Sequence, residues 1–219
     1  MKKLIIFGIG EQAEMAYYYF KNDSNYEIVA FTVNKEFINK SNLFELPIIA
    51  FELIETKFSV NEYELFIAIG YNKINKLRTE KYLACKNKGY IIASYISSKA
   101  SIFTEDIGEN AFILEDNTIQ PYVKIGNNVT LWSGNHIGHH STIQDNCFVT
   151  SHVVISGGCQ IGENTFIGVN ATLRDHIKIG KSNVIGAGSL ILKDTEDNKV
   201  FMVHATESSK IPSNRLRRI

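Results

Sequence analysis

The sequence lacks an excess of either charge. Lys plus Arg and Asp plus Glu each number 23 in 219 residues, so the formal net charge is zero. It also lacks long apolar runs: the segment Leu4–Phe7 is far too short for a signal peptide, and no stretch approaches the roughly 18 residues of a membrane-spanning helix. These absences predict no nucleic-acid partner and no membrane insertion.

Cysteine is equally scarce. Cys85, Cys147 and Cys159 form an odd set without metal-ligand spacing. We therefore expect free thiols in a reducing compartment, with the cytoplasm as the default location and no metal cofactor.

What the sequence does contain is a repeat of six residues. Counting in sixes from Ile107 to Ile191, all fifteen positions are aliphatic. The column is Ile107, Ile113, Ile119, Ile125, Leu131, Ile137, Ile143, Val149, Ile155, Ile161, Ile167, Leu173, Ile179, Ile185 and Ile191. When the aliphatic residue is position one of each hexad, position two is often Gly and position five is usually small or β-branched. A helical period of 3.6 cannot produce this repeat, whereas short strands separated by turns can.

This pattern resembles the hexapeptide-repeat acyltransferases over residues 107–192. The resemblance implies a left-handed parallel β-helix in which three hexads form one triangular coil. It also implies a homotrimer with active sites between adjacent subunits.

The N-terminal half alternates predicted strands with helices, which favours a small Rossmann-like domain with a parallel sheet. The predicted strands are 2–8, 26–33, 46–51, 63–70 and 90–95, and the predicted helices are 11–22 and 72–88. The expected organisation is a nucleotide-sugar-binding domain at 1–95, an acyl-CoA-binding β-helix at 96–192, and a C-terminal strand and tail at 193–219.

A glycine turn follows the first strand. The segment from Gly8 to Ala13 matches G-x-G-x-x-A, which supports phosphate binding at a helix N-terminus, although a tight turn without a ligand is the alternative. The second strand ends in Val33 and Asn34 instead of the acidic residue of an NAD site, which argues against a dehydrogenase.

Together the two halves resemble the nucleotide-linked amino-sugar N-acetyltransferases and the sialic acid O-acetyltransferase group. The matching segments are the first glycine turn and Ala68–Asn72. The resemblance implies a nucleotide-linked amino sugar as acceptor, acetyl-CoA as co-substrate, and a product destined for surface glycans such as the O-antigen of lipopolysaccharide. The expected acceptor-binding residues are Gly10, Glu11, Gln12, Asn34, Gly70, Asn72, Trp132 and Asn135.

Histidines crowd into one hexad junction. His139 is third and His140 fourth in their hexad, positions that lie at a coil corner and project outward. Acyl transfer to an amine needs a base for the nucleophile and donors for the oxyanion. In the amino-sugar enzymes the catalytic histidine lies in a segment that matches Ile137–His140, so His139 is the predicted base, with His140 in place of the usual supporting Glu.

Glycines follow one coil later. Gly157 is 18 residues after His139 and is the predicted donor to the thioester oxygen. The resemblance implies that CoA runs past third-position residues of later coils, and the predicted cofactor-binding set is Gly157, Val169, Asn170 and Ala187.

Three functions follow as hypotheses. The first is N-acetylation of a nucleotide-linked amino-deoxysugar; the alternatives are sugar O-acetylation and a non-catalytic trimeric binding protein. A zinc carbonic anhydrase is disfavoured, because His140 and His176 are two coils apart, about 9.6 Å by strand spacing, and no third histidine is suitably spaced.

Overall fold

The computed structural model describes residues 1–215, which form a small α/β domain followed by a β-helix. The α/β domain contains a six-stranded sheet in the order β3-β4-β2-β1-β5-β6. Its strands are β1 (Lys2–Phe7), β2 (Tyr26–Val33), β3 (Asn42–Leu43), β4 (Leu46–Ala50), β5 (Tyr63–Ile67) and β6 (Ile91–Ile92). Its helices are α1 (Glu11–Asn22), α2 (Ile54–Lys57) and α3 (Lys76–Asn87), with 3-10 turns at Lys35–Phe37 and Phe51–Leu53.

Apolar periodicity explains the sheet and the first helix. Strands β1 and β5 end in runs of four buried residues, as expected for central strands of a parallel sheet covered on both faces. Helix α1 starts immediately after Gly10 and buries Ala13, Ala16 and Phe20 against the sheet, at the three- and four-residue spacing of one helical face.

The structure corrects two predicted elements and adds a third that was not predicted. The helix predicted at 72–88 begins only at Lys76, because Lys73, Ile74 and Asn75 have positive φ and form a left-handed turn. The strand predicted at 90–95 is two strands, of which only the first joins the sheet and the second starts the β-helix. The two-residue strand β3, with its hairpin turn to β4, was not predicted.

The β-helix confirms the predicted left-handed parallel stack. Its strands are β7 (Tyr95–Ile96), β8 (Ser101–Ile102), β9 (Phe112–Ile113), β10 (Thr118–Ile119), β11 (Lys124–Ile125), β12 (Thr130–Leu131), β13 (His136–Ile137), β14 (Thr142–Ile143), β15 (Phe148–Val149), β16 (Val154–Ile155), β17 (Gln160–Ile161), β18 (Phe166–Ile167), β19 (Thr172–Leu173), β20 (Lys178–Ile179), β21 (Val184–Ile185), β22 (Leu190–Ile191) and β23 (Val200–Phe201). Each strand from β9 to β19 pairs in parallel with the strand 18 residues later, as Ile137 of β13 does with Ile155 of β16.

Each strand of the β-helix has two residues, of which the second points into the prism and the first points out. The inward column forms one continuous core with the small fifth-position residues, including Cys147 and Cys159. Burial raises the pKa of the Cys147 thiol to about 12 and raises the pKa of Cys159 as well, so both act as core fillers and stay protonated.

The outward residues give the prism three different faces. The docked face (β7, β9, β12, β15, β18, β21, β23) presents buried aromatics such as Phe112 and Phe148 to the N-terminal domain. The polar face (β11, β14, β17, β20) presents Lys124, Thr142, Gln160 and Lys178. The uncharged face (β8, β10, β13, β16, β19, β22) presents Ser101, Thr118, His136, Val154, Thr172 and Leu190.

Arg78 of α3 fastens the two domains together. Its side chain is 1% exposed and donates to Thr130 Oγ1 at 2.6 Å, to Asn146 O at 2.8 Å and to Cys147 O at 3.1 Å, while its guanidinium lies over the Phe148 ring. Burial lowers the pKa of Arg78 to about 10, so the side chain remains a cation at neutral pH. Carbonyl and hydroxyl dipoles stabilise this charge. No carboxylate among the described residues is hydrogen-bonded to Arg78.

A ladder of asparagines continues this interface. Asn110, Asn128 and Asn146 occupy the fourth hexad position in three successive coils, with positive φ. Their side chains hydrogen-bond in sequence at 2.7 Å, and Asn110 Oδ1 accepts from the Ile67 N–H at the end of β5. Asparagine tolerates the left-handed conformation, and its amide satisfies the stacked turns.

The chain after the last repeat adds one more strand to the docked face, where Val200 pairs with Val184. Within residues 1–215, no helix is long and apolar enough to cross a membrane.

We predict that Arg78→Ala lowers the free energy of unfolding by about 3 kcal/mol, because it leaves a hydroxyl and two carbonyls without donors and opens a cavity. Lys86→Ala on the same helix is the control, since it removes only a partly exposed ion pair with Glu109 and should change stability by less than about 1 kcal/mol. Urea unfolding measures both; equal midpoints for the two variants would contradict the assigned role of Arg78.

Candidate functional site

The predicted catalytic histidines lie on a corner of the prism, in the turn after β13. Both rings are exposed, as their hexad positions predict. The turn is held by its backbone: the His139 N–H donates to Gln120 Oε1 at 2.8 Å, and the His139 carbonyl accepts from the Gly158 N–H at 2.8 Å. His140 has a φ of 58°, in the left-handed region.

The two imidazoles contact each other through Nδ1 atoms 3.1 Å apart. One Nδ1 must carry the proton and the other must accept it. If His139 keeps a free lone pair on Nε2, its Nδ1–H donates to His140, and His140 carries its own proton on Nε2. In this tautomer His140 Nδ1 accepts the hydrogen bond from His139 Nδ1–H. A carboxylate could fill the same role, but His140 does so without a negative charge.

The Nε2 atom of His139 faces Gly157 of the next coil. A Cβ added to Gly157 would lie 2.7 Å from this nitrogen, so only glycine leaves space beside it. The Gly157 N–H donates to no group within residues 1–215, whereas its carbonyl accepts from the His176 N–H. An unpaired N–H beside an exposed imidazole nitrogen is the arrangement that stabilises an oxyanion next to a base.

Two further side chains complete this corner and were not predicted. The His176 ring fills the space over Gly158, where an added Cβ would lie 2.4 Å from Nδ1. The Tyr122 ring packs at a tilt against His140 from the preceding coil, with centroids 4.7 Å apart. Both belong to the same fourth-position column as His140, and the 18-residue register was the signal that could have found them.

The predicted CoA-contacting residues lie on a different corner. Val169, Asn170 and Ala187 are exposed, but they are 30 residues or more beyond the His139 turn and occupy another corner column of the prism. Within one chain, only Gly157 of the predicted cofactor set is therefore beside His139.

A cavity of about 1090 Å³ lies over the carboxyl ends of the parallel strands, between the N-terminal domain and the β-helix. Seven of the eight predicted acceptor residues line it: Gly10, Glu11, Gln12, Asn34, Gly70, Asn72 and Trp132. Ligands of open α/β sheets bind at this edge. Its lining also includes residues that the sequence analysis missed, namely Tyr18, Phe37, Phe44, Tyr71 and Lys81.

Asn34 is oriented by an unpredicted partner. Its Nδ2 donates to Glu52 Oε1 at 2.8 Å, while the Lys35 N–H donates to Glu52 Oε2 at 3.0 Å. The hydrogen bond from Asn34 lowers the pKa of the Glu52 carboxyl. The Asn34 Oδ1 atom is consequently fixed as an acceptor, and it has no partner among the described residues.

Trp132 and Asn135 differ in their access to the cavity. Trp132 lines it and is the β-helix residue of its lining, with a buried Nε1–H that has no partner in residues 1–215. Asn135, also predicted to bind the acceptor, is 1% exposed, donates to the Trp132 carbonyl and accepts from the Val153 N–H. Asn135 therefore supports the Trp132 turn from inside the prism and does not reach the cavity.

The cavity and the histidine corner are separate within one chain, because His139 and His140 are absent from the lining. Residues 1–215 contain no group of three or more His, Cys, Asp or Glu side chains placed to hold a metal ion. All three cysteines are free and buried.

Residues 122–157 and 158–193 match the family model described as "Bacterial transferase hexapeptide (six repeats)", which confirms the resemblance of the repeats. No curated protein sequence matches the chain.

Solved structures share the fold over nearly the whole chain. The perosamine N-acetyltransferase PerB of Caulobacter crescentus, in complex with CoA and GDP-perosamine, is 20% identical with a TM-score of 0.80, covering 91% of this chain and 93% of that one. WeeI of Acinetobacter baumannii is 18% identical with a TM-score of 0.76, covering 91% and 96%. The acetyltransferase domain of PglB from Neisseria gonorrhoeae, in complex with acetyl coenzyme A, is 20% identical with a TM-score of 0.58, covering 91% and 95%.

Proposed function

We propose that this chain, whose prism is built from the hexapeptide repeats of bacterial transferases, is an acetyl-CoA-dependent N-acetyltransferase of a nucleotide-linked amino-deoxysugar. The observation that carries the proposal is that the exposed His139 Nε2 faces Gly157, whose N–H donates to no group within residues 1–215. The structural relatives described as acting on GDP-perosamine or binding acetyl coenzyme A support the choice of substrates. The product would serve a surface glycan such as the O-antigen, and the buried free thiols are consistent with work in the cytoplasm.

The corner fits a thioester. Gly157 leaves space beside the His139 ring that any Cβ would fill. His139 accepts a proton from the acceptor amine as the nitrogen attacks the thioester carbonyl carbon. The Gly157 N–H donates to the oxygen on which negative charge develops. As the C–N bond forms and the C–S bond breaks, the proton on His139 passes to the departing thiolate, and His140 keeps the His139 ring in the required tautomer.

The cavity supplies the acceptor site. Its glycine turn directs the first backbone N–H groups of α1 toward the strand ends, where a pyrophosphate would sit, and the Asn34 Oδ1 atom offers an acceptor to a base or ribose. Tyr71, Asn72 and Trp132 lie at the β-helix side of the cavity and would hold the amino sugar.

The separation of the two sites within one chain supports a homotrimer. The cavity lining does not include His139, and Val169 and Ala187 lie on a different corner from His139. An amino sugar and a CoA bound together can therefore contact all these residues only at an interface between adjacent chains. The uncharged face offers the contact surface, because Val154 and Leu190 are 38% and 62% exposed there, whereas the polar face presents lysines.

We predict turnover when acetyl-CoA is mixed with a panel of UDP-, dTDP- and GDP-linked 3- and 4-amino-6-deoxysugars. CoA release is followed by thiol titration, which the buried protein thiols will not disturb. His139→Ala should lower kcat at least about 100-fold, the usual contribution of a general base.

The panel separates the alternatives. CoA release with a sialic acid, but with none of the amino sugars, would indicate O-acetylation. Nucleotide-sugar or CoA binding without any release would indicate a binding protein. Either result would overturn the proposed reaction, and full activity in His139→Ala would overturn the assigned base.

Adjacent glycines give a sharper test of the corner. Gly157→Ala should lower kcat about 100-fold with little change in Tm, because its Cβ displaces only the exposed His139 ring. Gly158→Ala should lower stability by about 1 kcal/mol, because the backbone has a φ of +70° there, while it preserves more of the activity. The reverse pattern would mean that Gly157 is needed only for folding.

We predict by light scattering a particle of three times the chain mass of 24.7 kDa. Val154→Lys on the uncharged face should dissociate it and abolish turnover. Gln160→Lys, at the matching position of the polar face, should do neither. A monomeric wild-type enzyme with full activity would exclude the shared site.

A further inference from the structure

The hairpin between β3 and β4 carries a bulky aromatic residue in a conformation that such residues avoid. Its two turn residues, Phe44 and Glu45, have φ values of 49° and 65°. Turns with positive φ at both central residues favour Asn-Gly, because glycine adopts this conformation without steric conflict. Bulky residues at positive φ are true outliers, and such strain is concentrated at ligand clamps and active sites.

The strained ring lies where a ligand can reach it. Phe44 lines the cavity and is 45% exposed. It is held by stacking on Tyr17, with ring centroids 4.4 Å apart and an interplanar angle of 11°. Tyr17 in turn packs on the buried Phe31 ring. Glu45, strained in the same way, is exposed and does not belong to the lining. Only one of the two strained residues therefore faces the cavity.

The position of Phe44 within the cavity indicates which part of a ligand it meets. The sheet order places the β3–β4 hairpin at one edge, β1 with its glycine turn near the centre, and β5, which leads to Tyr71, toward the other edge. Since Trp132 of the β-helix lines the cavity and packs toward Phe148 beside Tyr71, the reacting end of the ligand belongs at the β5 side. The hairpin edge is the opposite end.

The hairpin edge is chemically suited to an uncharged planar group. Phe37 and Tyr18 line the same cavity and are 58% and 63% exposed. The charged side chains of the lining, Glu11, Glu14 and Lys81, lie on α1 and α3 and not on the hairpin. Exposed aromatic rings bind bases by stacking, which tolerates any base because each has a π-face.

We infer that Phe44 is the stacking platform for the nucleobase of the nucleotide-linked substrate. The inference rests on the proposed function, since it assigns one end of the same acceptor site. The strain of the hairpin turn persists because the aromatic ring is needed at this edge. Phe44 fixes the nucleotide and not the acyl group, so its loss acts on acceptor affinity and leaves the chemistry at His139 unchanged.

The two strained residues provide a matched pair of variants. Phe44→Gly and Glu45→Gly both relieve positive φ; in Phe44→Gly this gain offsets the lost stacking on Tyr17, so both variants should fold with a Tm close to that of wild type. Calorimetric titration with UDP, dTDP and GDP identifies the nucleotide that wild type binds most tightly. For that nucleotide, Phe44→Gly should raise Kd tenfold or more, the usual effect of losing one stacked base, and Glu45→Gly should leave Kd within twofold. Phe44→Leu, which keeps an apolar side chain but no ring, should weaken binding similarly.

The outcomes separate this inference from the proposed function. If Phe44→Gly binds the nucleotide as wild type does, or if Glu45→Gly weakens binding equally, the platform is not the Phe44 ring and the inference is overturned. In the acetylation assay, a raised KM for the amino sugar with an unchanged kcat supports it. A wild-type protein that binds none of the three nucleotides overturns the inference and the proposed acceptor together, whereas acetylation with an unchanged KM in Phe44→Gly overturns the inference alone.

Discussion

The 18-residue register of the β-helix is the constraint on which the rest of the structure depends. Because Ile137 pairs with Ile155, and the inward residues from Ile113 to Leu173 all pair with the residue 18 positions later, each turn residue in this part of the prism lies over the residue one coil away. That register places Gly157 over His139 and Gly158 beneath His176. The histidine corner is therefore a product of the backbone stack, and its geometry depends on the aliphatic core that holds the coils together.

The same register explains what could be predicted from the sequence. An aliphatic residue in every sixth position specifies the β-helix almost completely, and counting positions within a hexad places His139 on an outward corner. The contact between His139 and His140 follows less directly, since it depends on the left-handed backbone of His140. Tyr122 and His176 are reachable by counting in eighteens, but no local motif marks them.

The N-terminal domain was predicted less well because its structure depends on non-local contacts. The segment Lys73–Asn75 forms a left-handed turn although its residues do not exclude a helix. The turn is stabilised by a non-local contact, the hydrogen bond from Asn75 Nδ2 to the Asn164 carbonyl. The hairpin turn at Phe44 and Glu45 contains neither Asn nor Gly, so the sequence gives no turn signal. The buried state of Asn135 is also non-local, since its partners become visible only when the coils are stacked.

The contacts of Arg78 also order events during synthesis. Its hydrogen-bond partners Thr130 and Cys147 lie 52 and 69 residues further along the chain. Helix α3 leaves the ribosome long before these carbonyls and the hydroxyl exist, and until then its guanidinium must stay in water. The domain made first can thus reach its final packing only after the chain as far as Cys147 has folded into the β-helix, so the later half of the chain acts as the template on which the earlier half is completed.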